Sequence, residues 1–206
     1  MFDRHIIPYQ ARLLNPIAHF LVKKGAKADW ISLLGFGFGL MAVLLIAISS
    51  YSAALACILI NRIMDGLDGS VARLRGPTDR GAFLDITLDF VFYGAIPLGF
   101  AIAEPEKNAL AAATLLLAFI GTGSSFLAYS AISHKRNEIV HAYSGKGIQF
   151  IGGLTEGAET IALFSAICIF PNWFPYLAYS FSVMAGFTIV FRWYWGWQQF
   201  GKKLQS

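Results

Sequence analysis

An all-α, six-transmembrane-helix bundle with an N-terminal amphipathic surface helix is the fold this sequence predicts, on three observations. The 206 residues are 56% hydrophobic and only 14% charged, whereas soluble chains carry about a quarter charged residues. Six apolar stretches, each near the roughly 20 residues a bilayer core requires, alternate with short polar breaks. Aromatic residues make up 15% of the chain, as suits a bilayer protein with interfacial anchors. A chain of this length reads as one domain, residues 1–206.

The first element covers residues 1–27, where Leu, Ile and Phe are mixed with Arg4, Arg12, Lys23 and Lys24. That mixture is too polar to span and predicts a juxtamembrane helix lying on the lipid surface. Pro8 and Pro16 bend it or start its turns. The six spans follow within residues 28–200, at 30–49, 52–74, 80–103, 108–132, 149–170 and 173–198. The breaks are Ser49–Ser52, Arg75–Asp79, Glu104–Asn108, a longer 133–148 loop and Phe170–Asn172. No compact apolar core followed by a small-residue cleavage site occurs near the start, so no cleavable signal peptide is expected. Cys57 and Cys168 fall in apolar stretches and read as small buried hydrophobes rather than a disulfide. Gly35, Gly37, Gly39, Gly121 and Gly123 read as helix-packing sites. The Trp193–Trp197 run reads as an interfacial aromatic belt.

Charge sets the orientation. Of the 16 Lys and Arg residues, all but Arg62 and Lys107 lie in or beside the N-terminal segment, the 74–80 and 133–148 connections, or the C-terminus. The positive-inside tendency then puts both termini in the cytoplasm. The basic residues flank apolar segments instead of gathering on one polar domain, which fits anionic headgroups and excludes a nucleic-acid partner. There is no convincing internal repeat, which disfavours an inverted-repeat transporter.

Against this apolar background stand four acids, Asp65, Asp68, Asp85 and Asp89. A carboxylate at membrane depth is costly and is kept when paired, solvated or bound to a cation. Asp65 and Asp68 are three residues apart, and Asp85 and Asp89 four apart, so on helices each pair shares a face. The Gly76-Pro77 turn lets the two pairs converge across an antiparallel helix pair. Hard oxygen ligands in this number favour Mg²⁺, Mn²⁺ or Ca²⁺ over zinc. Two ions sharing carboxylates would suit phosphoryl chemistry, where both attacking and leaving oxygens need stabilising. Gly66, Gly69 and Gly81 weaken the helices and need a reason, either close approach of a ligand or helix packing. Arg73 lies eight residues after Asp65 and can flank the same face, holding a phosphate or orienting a carboxylate. Arg75 and Arg80 are either ligand contacts or ordinary flanking charge, and Arg62 reads as a structural partner of Asp65 or of an acid on another helix. His134 and His141 read as solvated loop residues, and His5 and His19 as part of the surface helix.

Asp65-x-x-Asp68-Gly69-x-x-Ala72-Arg73 followed by Gly81-x-x-x-Asp85-x-x-x-Asp89 resembles the signature of the CDP-alcohol phosphatidyltransferase family at every fixed position. The resemblance extends to the whole chain, with a surface helix, six spans and comparable length. It implies a membrane transferase in phospholipid biosynthesis, usually a homodimer, with its site open to the cytoplasm. The expected location is a bacterial inner (cytoplasmic) membrane. The implied donor is CDP-diacylglycerol or a similar CDP-linked compound, the acceptor an alcohol, and the released product CMP. Mg²⁺ or Mn²⁺, as two ions, is the implied cofactor. By position, Asp65, Asp68 and Asp85 are implied to ligate the first ion, and Asp65, Asp85 and Asp89 the second. Asp89 is also the implied general base, accepting the proton of the attacking hydroxyl. Gly69, Ala72, Arg73 and Gly81 are implied to face the CDP moiety. The alternative from another class is a divalent-cation channel or transporter using the same aspartates, for which a pathway-lining Arg73 would be costly.

The acceptor expectation rests on another segment. Glu156 and Glu159, in Thr155-Glu-Gly-Ala-Glu159, share a helical face near the cytoplasmic side. Family members that use phosphorylated polyols resemble one another in carrying Lys or Arg here. An acidic pocket would repel a phosphomonoester, so an uncharged or amine-bearing alcohol is expected. The alternative is that these glutamates simply pair with Arg136, Lys146 or Arg192.

Overall fold

The computed structural model describes residues 3–136 and 153–201. Among these the chain is all-helical, with no strand. In chain order the helices are α1 (Asp3–Lys23), α2 (Ala28–Ala47), α3 (Tyr51–Arg75), α4 (Asp79–Ala103), α5 (Pro105–Lys135), α6 (Gly157–Ile169) and α7 (Phe174–Phe200), the last preceded by a 3₁₀ turn at Pro171–Trp173.

Local chemistry sets each boundary. At the end of α2 the amide of Ser50 donates to Leu45 O and that of Ser49 to Ile46 O, each at 2.8 Å. This places Ser49 at φ 61, a helix-ending geometry that satisfies two terminal carbonyls. Gly76, at φ 96, ends α3 in backbone space that a side chain would resist, and Pro77 prevents continuation. Thr78 caps α4, its Oγ1 accepting from Gly81 N at 3.1 Å.

α2 packs along both α3 and α4, whereas α3 and α4 themselves barely approach. α1 lies on α3, α5 joins α4 to α7, and α6 returns to α3. Glycines make the wedge of α2 possible. A Cβ on Gly35 would stand 2.9 Å from Met64 Cβ, and one on Gly39 2.7 Å from Phe92 Cδ2. Gly121 and Gly123 do the same against Ile189 and Phe90, so four of the five expected packing glycines are close-approach points. Gly37 meets nothing within 4 Å. The main core gathers Ile46, Ile58, Phe92, Ile96, Phe100, Phe164 and Phe174, with Phe100 stacked on Phe174 at 4.5 Å between ring centroids. A smaller cluster, Leu14, Ala18, Ile31, Leu67 and Val71, fastens α1 beneath α2 and α3.

Among the described residues, four helical segments are long and apolar enough to cross a membrane: α2, α4, α5 and Pro171–Phe200. The other two expected spans differ for identifiable reasons. α3 has 25 residues but carries Arg62, Asp65, Asp68, Arg73 and Arg75. α6 has 13 residues, and the expected beginning of its span at 149–152 lies outside the described residues. Leu44, Leu98, Leu110, Leu117 and Phe187 stand exposed on the four candidate spans, an apolar exterior that suits lipid. Trp193, Trp195 and Trp197 are exposed at the end of α7, as a belt requires. Cys57 and Cys168 are free, Cys168 being buried.

Candidate active site

α3 carries Asp65 and Asp68 one helical turn apart, and α4 carries Asp85 and Asp89 one turn apart. All four line one cavity, together with Ser32 and Gly35 of α2 and Asn61 and Arg62 of α3. One carboxylate oxygen from each of Asp65, Asp68 and Asp85 comes within 4.8 Å of the others. Three carboxylate oxygens this close are near enough to be drawn onto one hard cation such as Mg²⁺, Mn²⁺ or Ca²⁺, which takes oxygen ligands at about 2.0–2.6 Å. Asp68 is buried and accepts a 2.5 Å hydrogen bond from Ser32 Oγ. Ser32 stands one turn before Gly35 on the glycine-bearing face of α2, so the helix that wedges between α3 and α4 also orients a carboxylate. Asp85 of α4 converges with Asp65 and Asp68 of α3 as expected, and α2 packs along both helices where few close backbone approaches join α3 to α4 directly.

Asp89 lines the same cavity, where Arg62 holds it. Arg62 Nη2 donates to Asp89 Oδ1 at 3.0 Å, and Arg62 Nη1 lies 3.8 Å from Asp65 Oδ2. The guanidinium is fixed from several sides. Its Nε donates to Asn61 Oδ1 at 2.7 Å, Nη1 donates to Tyr93 Oη at 3.3 Å, and the group stacks 4.7 Å from the centroid of Phe92. Asn61, itself buried, donates to Gly35 O at 2.8 Å. The expected structural pairing of Arg62 is present, with both acids at once.

The residues expected to face a CDP moiety lie toward the arginine-rich end of α3 and the start of α4. Gly69 and Arg73 follow Asp65 at four-residue steps, on the same face. A Cβ on Gly69 would meet only Arg73 Nη1, at 3.3 Å. Arg73 is exposed and donates to Ser70 Oγ at 2.9 Å. Ala72 is half-buried. Gly81 is tied to the Thr78 cap, where a Cβ would come 3.1 Å from Thr78 Oγ1. Gly66 has a packing reason: a Cβ there would stand 2.1 Å from Gln10 Nε2 of α1. Arg80 pairs with Asp29 at the start of α2.

Glu156 and Glu159 occupy different ground. Glu156 is the N-cap of α6, and the two form a reciprocal capping box. Glu159 Oε2 accepts from Glu156 N at 3.2 Å, and Glu156 Oε1 accepts from Gly153 N at 2.8 Å. The preceding loop is pinned to α7, Leu154 N donating to Thr188 Oγ1 at 3.0 Å. Arg192, one turn further along α7, is buried, donates to Thr122 O at 2.8 Å and lies within electrostatic reach of Glu156. Of its other expected partners, Arg136 donates to Phe200 O at 3.0 Å, while Lys146, like His141, lies outside the described residues.

Sequence reasoning missed Ser32, Asn61 and Asp29. Ser32 carried a usable signal, as a polar residue in register with Gly35 and Gly39 on an otherwise apolar helix. The Glu-x-x-Glu spacing after a Gly- and Thr-rich stretch was likewise a capping signal.

Comparison with known proteins agrees with this architecture. A sequence model of the family described as CDP-alcohol phosphatidyltransferase matches residues 26–195. The inner membrane protein YnjF of Escherichia coli (strain K12) is 47% identical over 192 residues, covering 93% of each chain. A phosphatidylinositol phosphate synthase of Streptomyces avermitilis is 36% identical over 121 residues, 56% of this chain and 49% of that protein. In fold, the chain resembles the Mycobacterium tuberculosis phosphatidylinositol phosphate synthase crystallised with CDP-DAG bound, at TM-score 0.66 and 24% identity over 90% of this chain and 94% of that one. The same enzyme in complex with manganese and citrate matches at TM-score 0.66 and 24% identity, over 89% and 88% of the two chains.

Proposed function

Because the chain belongs to the CDP-alcohol phosphatidyltransferase family, we propose that it transfers a phosphatidyl group from CDP-diacylglycerol, or a similar CDP-linked donor, to an alcohol and releases CMP. The single observation carrying this reading is the convergence of Asp65, Asp68 and Asp85 to within 4.8 Å in a cavity between apolar helices. The donor assignment draws on the CDP-DAG complex of the mycobacterial enzyme and the metal assignment on its manganese complex.

Asp65, Asp68 and Asp85 would hold a divalent cation, Mg²⁺ or Mn²⁺, and in the two-ion form Asp89 would share a second with Asp65 and Asp85. Bound there, the cation would neutralise charge on the donor pyrophosphate and make CMP a better leaving group. Ser32 keeps Asp68 aimed into the cavity. Gly69, Ala72, Arg73 and Gly81 would take the cytidine and its phosphates, Gly69 by letting the nucleotide approach the backbone. Asp89, oriented by Arg62, would accept the hydroxyl proton of the acceptor. The acceptor oxygen then bonds to the phosphatidyl phosphorus as the bond to the CMP oxygen breaks, and CMP leaves with that electron pair.

The acceptor is an uncharged or amine-bearing alcohol in this reading, supported by the negative charge that Glu156 and Glu159 keep at the start of α6 even while capping it. The chain forms one domain over 1–206, with α3 and α6 completing six spans and α1 on the lipid surface. The site and both termini face the cytoplasm of a bacterial inner membrane, as the basic flanks and the name of the Escherichia coli relative suggest, and the assembly is a homodimer. No observation favours the cation-channel alternative, and Arg62 lies directly across the acids such a pathway would use. The test is CMP release from CDP-diacylglycerol by purified protein, measured against choline, ethanolamine, glycerol, glycerol 3-phosphate and inositol phosphate. Release with neutral or amine alcohols alone fits the full reading. Preference for a phosphorylated alcohol rejects the acceptor assignment, and no CMP with any pair rejects the transferase reading.

A further inference from the structure

We propose that α1 is a clamp worked by lipid charge: seated on an anionic bilayer surface, it holds the turns of α3 that carry Asp65 and Asp68. The inference rests on the surface placement of α1 given above, and adds the charge of its partner and the coupling to the acids. α1 carries three stripes side by side. Gln10, Leu14, Ala18 and Leu21 follow at steps of four, four and three residues, and the last three pack with Ile31, Leu67 and Val71. One position back, Tyr9, Leu13, Ile17 and Phe20 make a second stripe with the same steps, 50–76% exposed. Arg12, Asn15, His19 and Lys23 form the third, polar and exposed. One stripe can therefore face protein, one acyl chains and one water, as a seat in the interface requires. The stretch 4–28 contains Arg4, Arg12, Lys23, Lys24 and Lys27 but no acid, a charge complementary to anionic headgroups. Lys24 lies 5.8 Å from the Phe20 ring, its stem along the apolar stripe and its cationic head free to reach the headgroups.

The protein-facing stripe reaches the back of the acid turns. Gln10 Nε2 donates to Arg62 O at 3.4 Å. A Cβ on Gly66 would stand 2.1 Å from Gln10 Nε2 and 2.8 Å from Leu14 Cδ1, so the bare backbone beside Asp65 is what lets α1 seat. From these same turns Asp65 and Asp68 line the cavity, while Leu67 and Val71 lie on the α1 side. With Arg62, Asp65, Asp68, Arg73 and Arg75, this stretch of α3 would face lipid only at high cost. α1 covers it, yet Leu14 and Ala18 are the residues of α1 buried by that contact among the described ones. A whole apolar stripe of α1 is left for lipid to cover. Lipid that favours α1 lying on the surface therefore favours the arrangement in which α1 also presses on α3, and order passes from the bilayer to the acids. α1 is thus a positioning element for Asp65 and Asp68.

The test is hydrogen–deuterium exchange of the purified full-length protein in lipid nanodiscs, with peptides from α1 and from residues 62–71 followed by mass spectrometry. Exchange in both segments should be at least about fivefold slower in phosphatidylglycerol than in phosphatidylcholine discs, the effect of one basic side chain at an anionic surface. Peptides from the start of α5 should exchange alike in the two. The double variant Leu13→Gln/Ile17→Gln should lose the difference in both segments. Should that variant fail to fold, Lys23→Gln/Lys24→Gln, changed only at exposed side chains, should lose it as well. Slower α1 with residues 62–71 unchanged would overturn the coupling while leaving α1 on the surface. Slowing at 62–71 that persists in the variants would trace it to other lipid contacts and overturn the inference. Equal exchange of wild type in the two discs would also overturn it, and if Leu13→Gln/Ile17→Gln then exchanges no faster, the surface placement falls with it.

Discussion

The chain carries two sets of closely spaced acids near helix ends, and they are held in opposite ways. Asp65, Asp68, Asp85 and Asp89 are held by other elements: Ser32 on α2 grips Asp68, and Arg62 on α3 grips Asp89 on α4. Glu156 and Glu159 are held by their own backbone, as the N-terminal cap of α6. A carboxylate fixed by a distant helix is placed for something that enters between the helices. A carboxylate fixed by the amides beside it is first of all finishing a helix. Spacing alone does not separate the two cases, because both sets show the i, i+3 or i, i+4 step.

Substitutions can break this contrast or sharpen it. The largest effect is expected from Asp85→Asn, which removes one of three converging ligands. CMP release should fall at least about a hundredfold, since metal-assisted charge neutralisation is asked to supply much of the rate. A smaller effect is expected from Ser32→Ala, which leaves every ligand in place but frees Asp68 to turn. Mn²⁺ affinity, with free Mn²⁺ read by electron paramagnetic resonance, should fall about tenfold, as when a supporting hydrogen bond to a ligand is lost. The smallest effect on chemistry belongs to Glu156→Ala. Loss of a cap costs about 1 kcal/mol, which in a chain of this size lowers the melting temperature by about 2–4 °C. Turnover with the preferred acceptor should change less than for either aspartate-site variant. A melting temperature unchanged from wild type would show that the cap contributes nothing, and the contrast would fail on its α6 side.

Much of the site was legible because its signal is local. Four aspartates in two apolar segments stand out by energetic cost, and their spacing along one helix is fixed by 3.6 residues per turn. Gly35, Gly39, Gly121 and Gly123 were legible as packing points for the same reason, each breaking an otherwise bulky apolar run. What the sequence could not disclose is which helix lies between which. Gly76-Pro77 announces a reversal between α3 and α4, but only the structure shows that α2 packs against both. The partners of the acids were hidden for the same reason: Ser32 and Asp68 are 36 residues apart, and Arg62 and Asp89 are 27 apart. Glu156 and Glu159 carry two signals in the sequence, a negative charge and a capping pattern, and only the amides of Gly153 and Glu156 show the second in use. The count of spans was blurred where function intrudes on hydropathy, since α3 pays for its charged turn by no longer looking like a membrane helix.

The most direct test of the central claim is the metal dependence of CMP release from CDP-diacylglycerol, measured on chelator-stripped protein as Mg²⁺ or Mn²⁺ is returned. The site described here predicts no release without the ion, recovery on its addition, and no recovery in Asp85→Asn at metal concentrations that restore wild type. Full release from stripped protein, or an Asp85→Asn variant that recovers alongside wild type, would contradict it.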